Sequence, residues 1–164
     1  VIALKDFAHP GEEKMKSADI NQGIESTLGV IWNEIKYKAK VIKNYGDLPP
    51  VVCYPSQLNQ VFMNIIINAA QAIEENGEIT ITTKSIDDNV SIEINDNGCG
   101  IKKEHLNKIF DPFFTTKEVG KGTGLGMNVA YNIIQKHHGT INVKSQIGKG
   151  TQFTIILPVG KDPS

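Results

Sequence analysis

Between Leu58 and Ile73 the chain reads Leu-Asn-Gln-Val-Phe-Met-Asn-Ile-Ile-Ile-Asn-Ala-Ala-Gln-Ala-Ile, which puts apolar side chains nearly all round a helix. Such a helix is stable only when buried, so the remaining chain has to cover it. Two asparagines interrupt the apolar surface. Asn64 and Asn68 are four residues apart and lie one above the other on a single face, with Gln60 and Gln71 approximately extending the line. A buried amide without a partner costs about 1–3 kcal/mol, so the stripe must face something polar. Two partners fit: the backbone of a neighbouring loop, or a cation carried on phosphates. Mg²⁺ takes oxygen ligands and keeps several waters while bridging nucleotide phosphates, so one or two amide oxygens suffice from the protein.

The elements around this helix give a mixed α and β order. Asp19 is placed to N-cap a helix from about Ile20 to Lys40, with Ile20, Ile24, Leu28, Ile31, Trp32 and Ile35 as its apolar face and Trp32 in the core. Short strands are expected at Val41 to Tyr45 and at Val51 to Cys53, on either side of the Gly46-Asp47-Leu48-Pro49-Pro50 turn. Pro55 and Ser56 start the buried helix, which runs to about Glu75. Alternating runs from Glu78 to Ser85 and from Val90 to Asn95 make a hairpin. A helix-like stretch, Lys102 to Ile109, precedes a third long helix that ends at His138 with Gly139 as its cap, and strands follow at Thr140 to Ser145 and Thr151 to Leu157. Hairpin-linked strands with helices between them predict a two-layer α+β sandwich with helices on one face of a mixed sheet.

Two glycine clusters flank an aromatic segment. Asp96-Asn97-Gly98-Cys99-Gly100 sets a carboxylate beside a turn that can come close to a flat ring, and a carboxylate with one free face accepts a hydrogen bond from an exocyclic amine, which suits adenine. Gly120-Lys121-Gly122-Thr123-Gly124-Leu125-Gly126 leaves backbone N–H groups open at the start of a helix, where anions such as phosphates bind. Phe110-Asp111-Pro112-Phe113-Phe114 lies between them. Either cluster alone is weak, because glycine turns more often connect elements than bind ligands. The second is no Walker loop, lacking Gly-Lys-Ser/Thr at the required spacing, and no dinucleotide fingerprint, lacking a strand that leads into it.

Composition excludes other classes. The 164 residues are 40% hydrophobic and 21% charged, enough for one domain with a sizeable core. A formal net charge of −1 with scattered lysines argues against nucleic acid as a partner. Cys53 and Cys99 form neither a metal set nor a disulfide framework, which suits reduced thiols. No apolar stretch reaches membrane-spanning length. Val1, Leu4 and Phe7 look like the last turns of a helix ending near Pro10, so residues 1–10 are read as the end of a preceding element of a longer chain and residues 11–164 as the domain.

Taken in order, an Asn-x-x-x-Asn helix, Asp-x-Gly-x-Gly, Phe-x-Pro-Phe-Phe, Gly-x-Gly-Leu-Gly and a closing Gly148-x-Gly150-Thr151-x-Phe153 resemble the catalytic ATP-binding domain of sensor histidine kinases. That domain belongs to the superfamily shared with gyrase, MutL and heat-shock chaperone ATPases. The resemblance implies a Bergerat-type fold, with about five strands covered on one face by three helices. It implies ATP or ADP and Mg²⁺ as ligands. Asp96 would accept from the adenine amine, with Gly98 and Gly100 shaping the adenine wall and Thr151 supporting that end through water. Asn68 would ligate Mg²⁺, and Asn64 would help position metal or phosphates. Gly122, Thr123, Gly124, Leu125 and Gly126 would contribute near the phosphates. The segment between Phe110 and Gly122 would form a lid anchored by Phe113 and Phe114. Lys117 lies in it, where it could reach the γ-phosphate; a solvated loop lysine is an equal reading.

The resemblance also separates relatives. Gyrase, MutL, chaperone ATPases and related serine kinases carry a glutamate base at the position of Asn64. An amide cannot take a proton at neutral pH, so hydrolysis by that route is not expected, whereas a histidine acceptor brings its own basic nitrogen. Among His9, His105, His137 and His138 none has suitable surroundings: His9 precedes Pro10, and His137 and His138 end a helix, where they can favour its dipole or free carbonyls. The expected activity is therefore transfer of the γ-phosphoryl group to a histidine on a dimerisation hairpin outside this sequence. A response-regulator aspartate would then receive it. The alternative is an ATPase switch of the gyrase or MutL type. The fragment is expected to be a monomeric cytoplasmic domain of a homodimeric protein, and whether that protein is membrane-anchored stays open.

Overall fold

The computed structural model describes residues 13–111 and 126–160. Seven strands and three α-helices are found among them, in the order β1 (Lys16–Ala18), α1 (Ile20–Ile35), β2 (Ala39–Tyr45), β3 (Val51–Cys53), α2 (Pro55–Gln71), β4 (Gly77–Ile86), β5 (Asn89–Asp96), α3 (Gly126–Lys136), β6 (Thr140–Gln146) and β7 (Gly150–Pro158). Five strands form a mixed sheet in the order β2-β4-β5-β7-β6. Only the β2–β4 pair is parallel; the β4–β5 and β6–β7 hairpins and the central β5–β7 pair are antiparallel. The expected α+β sandwich is what forms. Ile79, Ile81, Val90, Ile92, Ile94, Phe153, Ile155 and Leu157 alternate along the central strands and are buried under the helices, where α2 packs against α1 on one side and α3 on the other.

The buried helix behaves as its composition requires: Leu58, Val61, Phe62, Ile65, Ile66, Ala69 and Ala70 are all inside. The amide stripe is only half-buried at Gln60, Asn64 and Asn68, and Gln71 is exposed. Its N-terminus is capped from a distance. Tyr54 holds the cap position without a side-chain bond, while the Glu13 carboxylate accepts from the Ser56 N–H and hydroxyl, both at 2.6 Å. Glu13 is brought there by β1, which pairs antiparallel with β3 in a small second sheet that the sequence pattern did not announce.

Several expectations need correcting. The first helix is capped by Asp19 as foreseen, its carboxylate accepting from the Gln22 N–H at 3.2 Å, but it stops at Ile35 instead of Lys40. Residues from Ala39 onward are taken by the parallel ladder with β4, which outweighs local helix propensity. Trp32 is 46% exposed, not core, because it stands about 100° round the helix from Ile31. The stretch after Ile101 makes one 3₁₀ turn, Lys103–His105, and no longer helix. At the end of α3 the left-handed cap is His138, at φ 60°, not Gly139. The His138 N–H reaches Gln135 O and the Gly139 N–H reaches Ile134 O, both at 3.0 Å, the paired bonds of a Schellman ending. Gly139 is required for another reason: a Cβ there would lie 2.5 Å from Ile156 O.

Among the described residues no helix is long and apolar enough to cross a membrane. Cys53 is buried and Cys99 exposed, both as free thiols, and burial pushes the Cys53 thiol up to about 12.

Candidate functional site

Helix α2 links two places that the sequence singled out separately. At one end, Ala72, which closes the helix, accepts from the Cys99 N–H at 2.9 Å and so holds the Asp96-to-Gly100 turn. At the other, the Asn64 amide donates to Gly126 O at 2.9 Å, where α3 begins. Eight residues of helix separate Asn64 from Ala72, a span of about 12 Å. Asn68 lies on the same face between these points.

Asp96 ends β5, paired with Thr151 at the start of β7. Its carboxylate accepts from the Gly98 N–H at 2.8 Å, which folds the chain back on itself. Burial pushes the carboxyl above the ordinary aspartate range, while the backbone groups of Gly98 and Thr151 work in the opposite direction. The glycines serve close approach to protein. A Cβ on Gly98 would lie 2.6 Å from Ala72 O, and one on Gly100, which has φ 79°, would lie 2.3 Å from Gln146 O. Gly150 is tighter still, at φ 128° with Asp96 O only 1.9 Å from where a Cβ would stand. Every one of these contacts is with backbone, which cannot swing aside.

A residue that sequence reasoning missed ties this end together. The Ser145 hydroxyl accepts from the Ile101 N–H at 2.7 Å, lies 2.9 Å from Gly150 O and is 2.8 Å from the Thr151 hydroxyl. One side chain thereby joins the Asp96 turn, the β6–β7 hairpin and Thr151. The only signal for it was its place just before the closing Gly-x-Gly-Thr. A cavity of about 310 Å³ opens at this row, lined by Asp96, Ser145, Gly150 and Thr151 together with Asn95, Lys144, Lys149 and Gln152. None of its lining residues belongs to α2.

At the Asn64 end the first alternative raised by the sequence is realised for one amide: Asn64 does bond backbone, through its nitrogen. Its Oδ1 accepts from Gln60 Nε2 at 2.9 Å and, having two lone pairs, retains acceptor capacity. Gly126 sits against this amide, with Asn64 Cγ 3.7 Å from where a Cβ on the glycine would stand. The chain that leaves toward the glycine loop is anchored nearby. Asn128 of α3 donates to Phe110 O at 3.0 Å, and the Phe110 ring packs on Tyr131 at 5.3 Å between centroids. Lys117, Gly122, Thr123, Gly124 and Leu125, with Phe113 and Phe114, lie outside the described residues.

His137 belongs to neither end. It is buried, its Nδ1 is 2.8 Å from Ile133 O and its Nε2 accepts from the Tyr54 N–H at 3.0 Å. A carbonyl can only accept, so Nδ1 carries the proton and the ring is neutral; burial pushes its pKa down, opposed by the Ile133 carbonyl. Far from tuning a helix dipole, His137 staples the end of α3 to the start of α2.

Comparison with known proteins bears on the family and the fold. Residues 53–161 match the family described as histidine kinase-, DNA gyrase B-, and HSP90-like ATPase. Sensor histidine kinase ZraS of Escherichia coli K12 is 37% identical over 168 residues, covering 99% of this chain and 36% of that protein. Sporulation kinase E of Bacillus subtilis 168 is 48% identical over 114 residues, covering 69% of this chain and 15% of that protein. The chain thus spans well under half the length of these relatives. Among solved structures, the nucleotide-free catalytic domain of histidine kinase ThkA superposes with a TM-score of 0.80 at 29% identity, over 89% of this chain and 96% of that one.

Proposed function

From a chain that belongs to the histidine kinase-, DNA gyrase B-, and HSP90-like ATPase family, and within it is a histidine-kinase catalytic domain with a nucleotide site, we propose an activity for the whole protein: magnesium-dependent transfer of the γ-phosphoryl group of ATP to a histidine. The observation that carries the proposal is the placement of α2: its Asn64 amide bonds Gly126 at the start of α3, and the backbone of its C-cap, Ala72, holds the Asp96 turn.

In this reading Asp96 accepts from the adenine amine, and Gly98, Gly100 and Thr151 hold that carboxylate in place. The phosphates lie toward Gly126 and the loop before it. Asn68 and Asn64 supply neutral oxygens, a donor set that suits a hard cation already carried by phosphates. Among the described residues no cluster of three or more His, Cys, Asp or Glu side chains offers a cage of its own, so the cation would come with the nucleotide. When bound, Mg²⁺ neutralises phosphate charge. Lys117 is proposed to add a point charge at the γ-phosphate.

The chemistry asks little of the domain beyond positioning. The imidazole nitrogen of the acceptor forms the new P–N bond as the bond from phosphorus to the β,γ-bridging oxygen breaks and ADP leaves. No protein base is needed, which agrees with an amide at position 64. A hydrolytic switch would need a carboxylate there to activate water. By analogy with the named sensor kinases, the partners are the protein's own dimerisation and phosphoacceptor segment and a response-regulator receiver. The test is to supply a histidine-bearing dimerisation hairpin in trans with γ-labelled ATP. Acid-labile, base-stable label on the hairpin and little free phosphate without it support the proposal; rapid phosphate release by the domain alone would favour the ATPase.

A further inference from the structure

We propose that Gln60 is a positioning residue that holds the Asn64 side-chain oxygen in place, in the facing that Gly126 O already dictates; the inference rests on the reading that Asn64 stands beside the nucleotide phosphates and their cation. The geometry allows one assignment. Gly126 O can only accept, so the Asn64 atom 2.9 Å away is Nδ2, and its Oδ1 must then be the atom 2.9 Å from Gln60. An oxygen there needs a donor, so Gln60 presents Nε2. The donations run one way, from Gln60 to Asn64 to Gly126, and both amides are locked by a carbonyl that cannot donate.

The two amides are one turn apart on α2, and both are half-buried. Without Gln60 the bond to Gly126 would still decide which Asn64 atom is the nitrogen, but among the described contacts Oδ1 would lose the donor that steadies it. With Gln60 that oxygen is held at a fixed height along the stripe, one turn from Asn68. A displacement of about 1 Å in such a group is enough to weaken a site whose chemistry is positioning.

Glutamate is isosteric with glutamine but accepts only. In Gln60→Glu the carboxylate faces Asn64 Oδ1 as acceptor against acceptor. If the amide turns over to satisfy it, Oδ1 meets Gly126 O instead. Either arrangement moves the Asn64 oxygen. A new negative charge near phosphates could also repel them directly, and a double-mutant cycle separates the two causes.

The experiment is calorimetric titration of ATP with Mg²⁺ into the parent chain, Gln60→Glu, Asn64→Ala and the double variant, with circular dichroism confirming the fold of each. Each single change is expected to weaken binding about tenfold, and the double to be no weaker than Asn64→Ala alone. Unchanged affinity in Gln60→Glu, or losses that multiply to about a hundredfold in the double, overturns the proposal. Should Asn64→Ala bind as tightly as the parent chain, the reading of Asn64 itself falls, and the role of Gln60 with it. If Gln60→Glu does not fold, Gln60→Met removes the donor without adding charge. It should lose about threefold in the parent background and nothing in Asn64→Ala; an equal loss in both backgrounds overturns the proposal.

Discussion

The two ends of the α2 stripe are built differently. At the Asp96 end the contacts are backbone against backbone: Ala72 O takes the Cys99 N–H, Gln146 O and Asp96 O crowd Gly100 and Gly150, and Ser145 closes the remaining gap. At the Asn64 end, two side-chain amides make the connection and Gly126 has ordinary van der Waals room. A base needs a fixed wall of fixed shape. Phosphates and a cation need oxygens and N–H groups, which side chains held by single hydrogen bonds can present. The contrast predicts that substitutions at the close-packed glycines and at Ser145 of the first end damage the fold, while those at the second damage ligand binding with the fold intact.

Gly150→Ala should show the largest effect. A Cβ at φ 128° and 1.9 Å from Asp96 O forces the β5–β7 ladder apart, a cost of about 3 kcal/mol or more, read as a clear fall in the thermal midpoint together with lost ATP binding. A Gly150→Ala chain of parent stability would break the comparison. Next, Asn68→Ala should lose magnesium-dependent affinity for ATP about tenfold, with a thermal midpoint close to that of the parent; equal affinity with and without Mg²⁺ in parent and variant alike would remove Asn68 from the cation site. Ser145→Ala leaves the Ile101 N–H without its acceptor and should cost about 1–3 kcal/mol in urea unfolding.

The smallest effect is one of pH, and it lies outside both ends. His137 is held neutral, with its folded pKa below the ordinary value of 6.5. As pH falls through about 6.5 the unfolded chain takes up a proton that the folded chain refuses, so stability drops toward the lower folded pKa. His137→Asn should flatten that slope in the acid limb of a stability profile. An unchanged slope would show that another group carries it.

The same contrast explains what could be read from the sequence. Periodicity located α1, α2 and both hairpins, because a buried helix and a two-residue turn at Asp87 and Asp88 leave local marks. The Asn64 and Asn68 stripe and the Asp96 turn were visible for the same reason. What was not visible depends on distant pairing. Glu13 is an ordinary acidic residue until β1 sets it over Ser56, 43 positions away, and the end of α1 is decided by the ladder from Ala39 to Tyr45. Trp32 was misplaced because a wide apolar stripe does not show where the sheet stops covering it. Ser145 looked like one more strand residue, and His137 like a helix terminus, until Ile101 and Tyr54 were brought against them.

The division of labour along α2 is tested most directly by titrating ATP, with and without Mg²⁺, into Asp96→Asn. The side-chain oxygen of asparagine still serves the Gly98 N–H, but its NH₂ then faces the adenine amine, donor against donor. Affinity should fall about tenfold or more under both conditions, because base recognition does not depend on the metal. An affinity equal to that of the parent chain, or a loss seen only when Mg²⁺ is present, would contradict the account.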